Sequence, residues 1–171
     1  MSRIYVGPTS LYALGQVGVL DLLTSFDGRL VIPDVVQEEV TTEPARTSLQ
    51  NFLDDTDVST AVPSSAHEQA VEVVGIEDGT HEAAMLAGVI AHSDPDDRHA
   101  VAVVSEDRRI RRIAEGLGGS VTSCFGVVAR AAADDKYLSR SQARRIVRRI
   151  DANGIQMTGE MRSQAVGAVG E

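Results

Sequence analysis

AVAVVSEDRRIRRIAEGLGG, residues 100–119, is the stretch on which the fold turns. AVAVVS (100–105) is the most strand-like segment of the chain: short, apolar and valine-rich. Two acids, Glu106 and Asp107, follow at once, and DRRIRRIAEGLG (107–118) reads as a helix that stops at Gly118 or Gly119. Glycines that follow a helix act as a C-terminal stop and not as a phosphate cradle. A strand that turns directly into a helix is the unit from which parallel sheets are built.

Working outward, the same alternation recurs. RIYV (3–6) is a strand that leads through Gly7-Pro8 into a helix expected over 11–24, with Thr9 or Ser10 as its cap and Leu11, Leu14, Val17, Leu20 and Leu23 on one side. LVI (30–32) is a second strand, stopped by Pro33, with a short helix over 34–40. Pro44 opens a helix that turns Leu49, Phe52 and Leu53 inward. A strand is expected within 57–62, helices over 64–74 and 80–91, and a turn at GIEDGT (75–80). Beyond the opening stretch come a short strand at 121–123 and helices over 124–133 and 141–152, ended by Asn153-Gly154. MTGEMRSQAVGAV (157–169) adds a weak last helix or frays. The expected architecture is an α/β three-layer sandwich with a mostly parallel central sheet. It forms one domain over 1–171, with its core at about 3–152 and 153–171 as a C-terminal extension.

A chain of 171 residues, 43% of them apolar, can bury a real core. No apolar run is long enough for a membrane span or a signal peptide, so no membrane partner is expected. The single Cys124 cannot close an internal disulfide, which fits a reducing cytoplasm. Charge is unevenly spread. Acids dominate residues 1–107, where Arg3, Arg29, Arg46 and Arg98 are the only bases, whereas 108–149 is strongly basic. Lys136 is the one lysine among 16 bases, and the net charge is −9. An acidic, lysine-poor surface is what proteins of salt-loving (halophilic) microbes use to stay hydrated.

In a parallel sheet, ligands gather at the carboxyl ends of the strands. Asp34, Glu38 and Glu39 follow the second strand, Glu106 and Asp107 follow 100–105, and Glu82 opens the helix over 80–91. Carboxylates brought together raise one another's pKa unless a cation neutralises them. Mg²⁺ or Mn²⁺ suits such oxygen ligands and would activate water for phosphodiester hydrolysis. In a chain with 25 acids, the competing reading of each carboxylate is a solvated surface residue.

The order of the pieces TSLYALGQVGVLDLL (9–23), VIPDVVQEEV (31–40), GTHEAAMLA (79–87), VVSEDRRIRRIAEGLG (103–118) and FGVVARAAADDKYLS (125–139) resembles that of PIN-domain proteins, in the branch related to the toxin nucleases of toxin–antitoxin pairs. The resemblance implies an α/β sandwich whose acidic cluster binds Mg²⁺ or Mn²⁺, commonly to cut RNA. It makes Glu39, Glu82 and Asp107 the catalytic and metal-binding acids, assisted by Glu106, with Thr9 and Ser105 as supporting hydroxyls. It also puts Gly7 where the family has its first aspartate, and departs from the family at Pro8 and Thr80. Either Gly7 lets a phosphate or water approach the backbone, or the site has decayed. Asp21, about three turns into the expected helix, is no obvious substitute. Three acids are enough to hold one octahedral ion with waters, more weakly than four.

Arg108, Arg109 and Arg112 directly follow the acidic cluster. Arg140, Arg144, Arg145, Arg148 and Arg149 occupy the outer faces of the helix over 141–152. They are candidates for contact with a nucleic-acid backbone, with Arg108, Arg109, Arg112, Arg144 and Arg148 the foremost. The bland alternative is a solvated helix paired with neighbouring acids. Arg111 is read either as part of that surface or as a structural partner of a site acid. HEAAM (81–85) lacks the second histidine of a zinc-protease motif. His92, Asp94, Asp96, Asp97 and His99 make a polar loop more simply than a metal site, and Cys124 reads as a buried structural thiol. Two functions remain open. One is a divalent-metal-dependent, toxin-like ribonuclease with RNA, an antitoxin-like partner or a second copy as partners. The other is a catalytically degenerate module that binds RNA or a protein.

Overall fold

The computed structural model describes residues 2–62, 64–77, 79–92, 101–133 and 138–154. Four strands, β1 (Arg3–Val6), β2 (Arg29–Val31), β3 (Val101–Val104) and β4 (Ser120–Thr122), form an all-parallel sheet in the order β2-β1-β3-β4. The register pairs Tyr5 of β1 with both Val31 and Val103, and Val104 with Thr122. The two central strands carry the longest apolar stretches because they are covered on both faces. Ile4, Tyr5, Val6, Val103 and Val104 are all buried.

Helices flank the sheet. α1 (Pro8–Gln16) packs on α3 (Ala45–Asp55), α7 (Cys124–Ala133) and α8 (Arg140–Ala152). A second group holds α4 (Ser64–Val74), α5 (His81–Ala91) and α6 (Arg108–Gly116), with α2 (Asp34–Glu39) leaning on both α1 and α5. On the α5 side, the ring of Tyr5 lies directly over the backbone of Gly88. Burial pushes the Tyr5 phenol pKa above its ordinary value.

The expected α/β architecture with a parallel sheet is present, with local differences that have physical reasons. The helix expected over 11–24 starts at Pro8 and ends at Gln16, and a separate 3-10 turn covers Leu20–Ser25. Gly18, at φ +74°, takes the left-handed conformation that stops the first piece. Pro8 fits the first helical position, where no N–H is needed, so neither Thr9 nor Ser10 caps the helix. The strand expected within 57–62 shrinks to one bridge between Val31 and Ser59 beside the edge strand β2. Residues 93–99 of the polar loop expected over 91–99, and the weak helix expected over 157–169, lie outside the described residues. Among the described residues, no helix is long and apolar enough to cross a membrane.

Candidate functional site

β1 lies between β2 and β3, so the chain departs in opposite directions on either side of it. Ligands of open parallel sheets bind at such a reversal, beyond the carboxyl ends of the strands. A cleft of about 250 Å³ occupies this place, lined by residues 7–10 at the start of α1, His81 of α5, and residues 105–107 after β3. The backbone N–H of Gly7 donates to the Val104 carbonyl at 2.9 Å, which ties the two strand ends together.

Glu106 is held from two sides. The buried Ser10 hydroxyl donates to its Oε2, and the backbone N–H of Cys124 donates to its Oε1 at 2.6 Å. The carboxylate thereby satisfies a free N–H at the start of α7, where the helix dipole also favours negative charge. Burial first, and then the nearby Glu106 carboxylate, push the Cys124 thiol well above its ordinary range, so it stays protonated and inert as a nucleophile.

Asp107 caps α6: its Oδ1 accepts from the backbone N–H of Arg109 at 2.8 Å and of Ile110 at 3.1 Å. The Ser105 hydroxyl accepts the Asp107 N–H at 3.0 Å, and Arg111 Nη1 donates to the Ser105 carbonyl at 3.1 Å. Arg111 is thus structural, and its partner is a carbonyl rather than an acid. Thr9 is exposed on the lining of the cleft.

Glu39, at the end of α2, and Glu82, in the first turn of α5, meet through a residue that the sequence reading passed over. His81 places Nδ1 2.9 Å from Glu39 Oε1 and Nε2 3.3 Å from Glu82 Oε1, with its side chain only 18% exposed. The ring also lines the cleft, so it joins this pair of acids to Ser105, Glu106 and Asp107. Thr80 caps α5, its hydroxyl accepting from the Ala83 N–H. The sequence signal for His81 was present in GTHEAAM, where an imidazole precedes a candidate acid at a helix start.

Gly7 opens no added space on its side-chain face. A Cβ there would sit 3.3 Å from Sδ of the buried Met85 and 3.4 Å from the Val104 carbonyl. Asp21 lies exposed in the 3-10 turn and is not part of the cleft lining. Arg108, Arg109 and Arg112 are exposed on α6 immediately beyond Asp107. Arg144 and Arg148 are exposed on α8, which packs on α7 and α1.

Folding gives each acid a partner: a helix N-terminus and a hydroxyl for Glu106, a helix N-terminus for Asp107, and the His81 ring between Glu39 and Glu82. Among the described residues, no group of three or more His, Cys, Asp or Glu side chains is arranged to hold a metal ion. As they stand, these donors do not fit a divalent ion.

A family model described as a PIN domain matches residues 6–171. No curated protein matches the chain, and no solved structure matches it.

Proposed function

The chain belongs to the PIN-domain family, and from that premise we propose that it is a nuclease-related module that binds RNA beside the cleft without cutting it. The observation that carries this reading is the junction at Asp107. There the cleft lining passes directly into α6, which exposes Arg108, Arg109 and Arg112. Guanidinium groups bind phosphate by paired N–H donors and keep their charge at any working pH. Arg144 and Arg148 on α8 add a second basic surface. Few aromatic residues are present, so contact with the backbone rather than base stacking would supply the affinity.

Two features speak for binding without cleavage. The acids expected to hold Mg²⁺ or Mn²⁺ are already engaged by protein groups, and Gly7 stands where the family's first aspartate is expected, with Met85 packed beside it. The competing reading, a Mg²⁺- or Mn²⁺-dependent endoribonuclease using Glu39, Glu82 and Asp107, has one observation in its favour. Oδ2 of Asp107 takes part in neither cap bond.

Fluorescence anisotropy with a labelled mixed-sequence RNA in EDTA tests the proposal. Wild type is expected to bind with an affinity that falls steeply with salt. Replacing Arg108, Arg109 and Arg112 together with Gln should weaken binding at least tenfold and flatten the log–log salt slope by about 2 units, near 0.7 for each lost phosphate contact. An Arg144→Gln/Arg148→Gln variant measures the share of α8. Absence of RNA binding in EDTA would overturn the proposal and turn attention to a protein partner. So would Mn²⁺-dependent cutting by wild type that Asp107→Asn abolishes.

A further inference from the structure

Given the RNA reading above, on which this rests, we propose that α8 is a second RNA-backbone site on the other side of the sheet from α6, so that one chain holds two separate RNA segments. Arg140, Arg144, Arg145, Arg148 and Arg149 are all exposed on α8, while Ala143, Ile146 and Ile150 are buried. Arg140, Arg144 and Arg148 follow one another at four-residue steps, and Arg145 and Arg149 form a second row. Like charges four residues apart on a helix repel. α1 and α7, on which α8 packs, carry no acidic residue to offset them, and α8 itself supplies only Asp151. A polyanion laid along these rows relieves the repulsion. Each guanidinium has five N–H donors, so contacts made within the fold leave others for phosphate.

The topology keeps this surface apart from the arginines of α6. Successive side chains of a strand point to opposite faces of the sheet. Tyr5 of β1 lies against Gly88 of α5, whereas its neighbour Ile4 lines a hollow with Gly126 and Arg130 of α7. α5 and α7 therefore cover opposite faces. α6 packs on α5 and α8 packs on α7, so the two arginine helices are separated by the sheet. With helices about 10 Å thick on either side, their outward arginines stand on the order of 20 Å apart. That distance is more than twice the Debye length of about 8 Å at physiological salt. RNA held on one face therefore leaves the potential at the other nearly unchanged, and the two sites fill independently.

Equilibrium dialysis of the full chain against labelled hexauridylate RNA, in EDTA at low salt, counts the sites at saturation. Wild type is expected to take up two RNA molecules per chain. Replacing Arg108, Arg109 and Arg112 with Gln should leave one. Replacing Arg140, Arg144, Arg145, Arg148 and Arg149 with Gln should also leave one. Should the α8 variant not fold, as judged by circular dichroism, Arg144→Gln/Arg148→Gln carries the same criterion. A capture assay gives a second readout: wild type loaded on bead-bound RNA should retain a second, labelled RNA, and neither variant should. One RNA per chain in wild type overturns the proposal and leaves the RNA reading standing. Two per chain in the α8 variant also overturns it, by placing the second segment elsewhere. Wild type that takes up no RNA overturns the RNA reading, and this proposal with it.

Discussion

Glu106→Ala is expected to melt about 9 °C below wild type when both are followed by circular dichroism at fixed salt. The loss follows from what its carboxylate holds. Without it, the fully buried Ser10 hydroxyl and the Cys124 backbone N–H, 2.6 Å from Glu106 in the folded chain, both lose their acceptor. Leaving two buried polar groups unsatisfied costs about 3 kcal/mol, and for a chain of this size each kcal/mol is worth about 3 °C. Glu106→Gln keeps an acceptor for Cys124 and an amide against Ser10, so it should lose about half as much. The opposite assignment makes the opposite prediction. A carboxylate kept among repelling acids for the sake of an ion would leave stability unchanged, or raise it, when removed. A melting point at or above that of wild type would therefore contradict the structural role given to Glu106.

Gly88→Ala is a perturbation of similar size, with an expected fall of about 9 °C in melting temperature. An added Cβ would lie 2.1 Å from Cζ and 2.3 Å from Cε1 of Tyr5, far inside van der Waals contact. Tyr5 is fully buried on the central strand, so its ring cannot swing outward, and α5 must lift from the sheet. Overpacking of this kind costs about 3 kcal/mol. The same helix carries His81 and Glu82, so the shift should also disturb the Glu39–His81–Glu82 clamp. Trimming the ring in a Tyr5→Leu/Gly88→Ala double variant should recover part of the loss, and the interaction energy of the cycle isolates the contact. A Gly88→Ala variant as stable as wild type would mean that α5 does not sit on β1 as described.

The parts of this molecule legible in its sequence are those with a local periodic signal. Val101–Val104 and the helix after Asp107 follow from an apolar run beside an amphipathic one, and the alternation around them implies the parallel sheet. The break after Gln16 was hidden because a single glycine inside a helical pattern is tolerable, and only its φ of +74° reveals the stop. Ser59 could not be separated from a strand by pattern, since one bridge to Val31 is all that the sheet edge provides.

At the site, the convergence of acids was legible but the means of tolerating them was not. Composition invites the argument that clustered carboxylates require a metal ion. That argument leaves out the N-termini of α6 and α7, which supply donors only once the chain has folded. Ser10 was visible as a possible helix cap, but its partner Glu106 is 96 positions away. His81 was visible only as half of an incomplete zinc motif, because its partner Glu39 lies 42 residues upstream.

The most direct measurement is the melting temperature of wild type, recorded in EDTA and again with several millimolar Mn²⁺ at matched ionic strength. Acids already engaged by His81, Ser10 and two helix N-termini gain little from the ion, so the two melting points should agree within about 1 °C. A rise of about 4 °C or more in Mn²⁺ would show that the folded wild-type chain holds a divalent ion, and would contradict the claim that the protein itself balances these carboxylates.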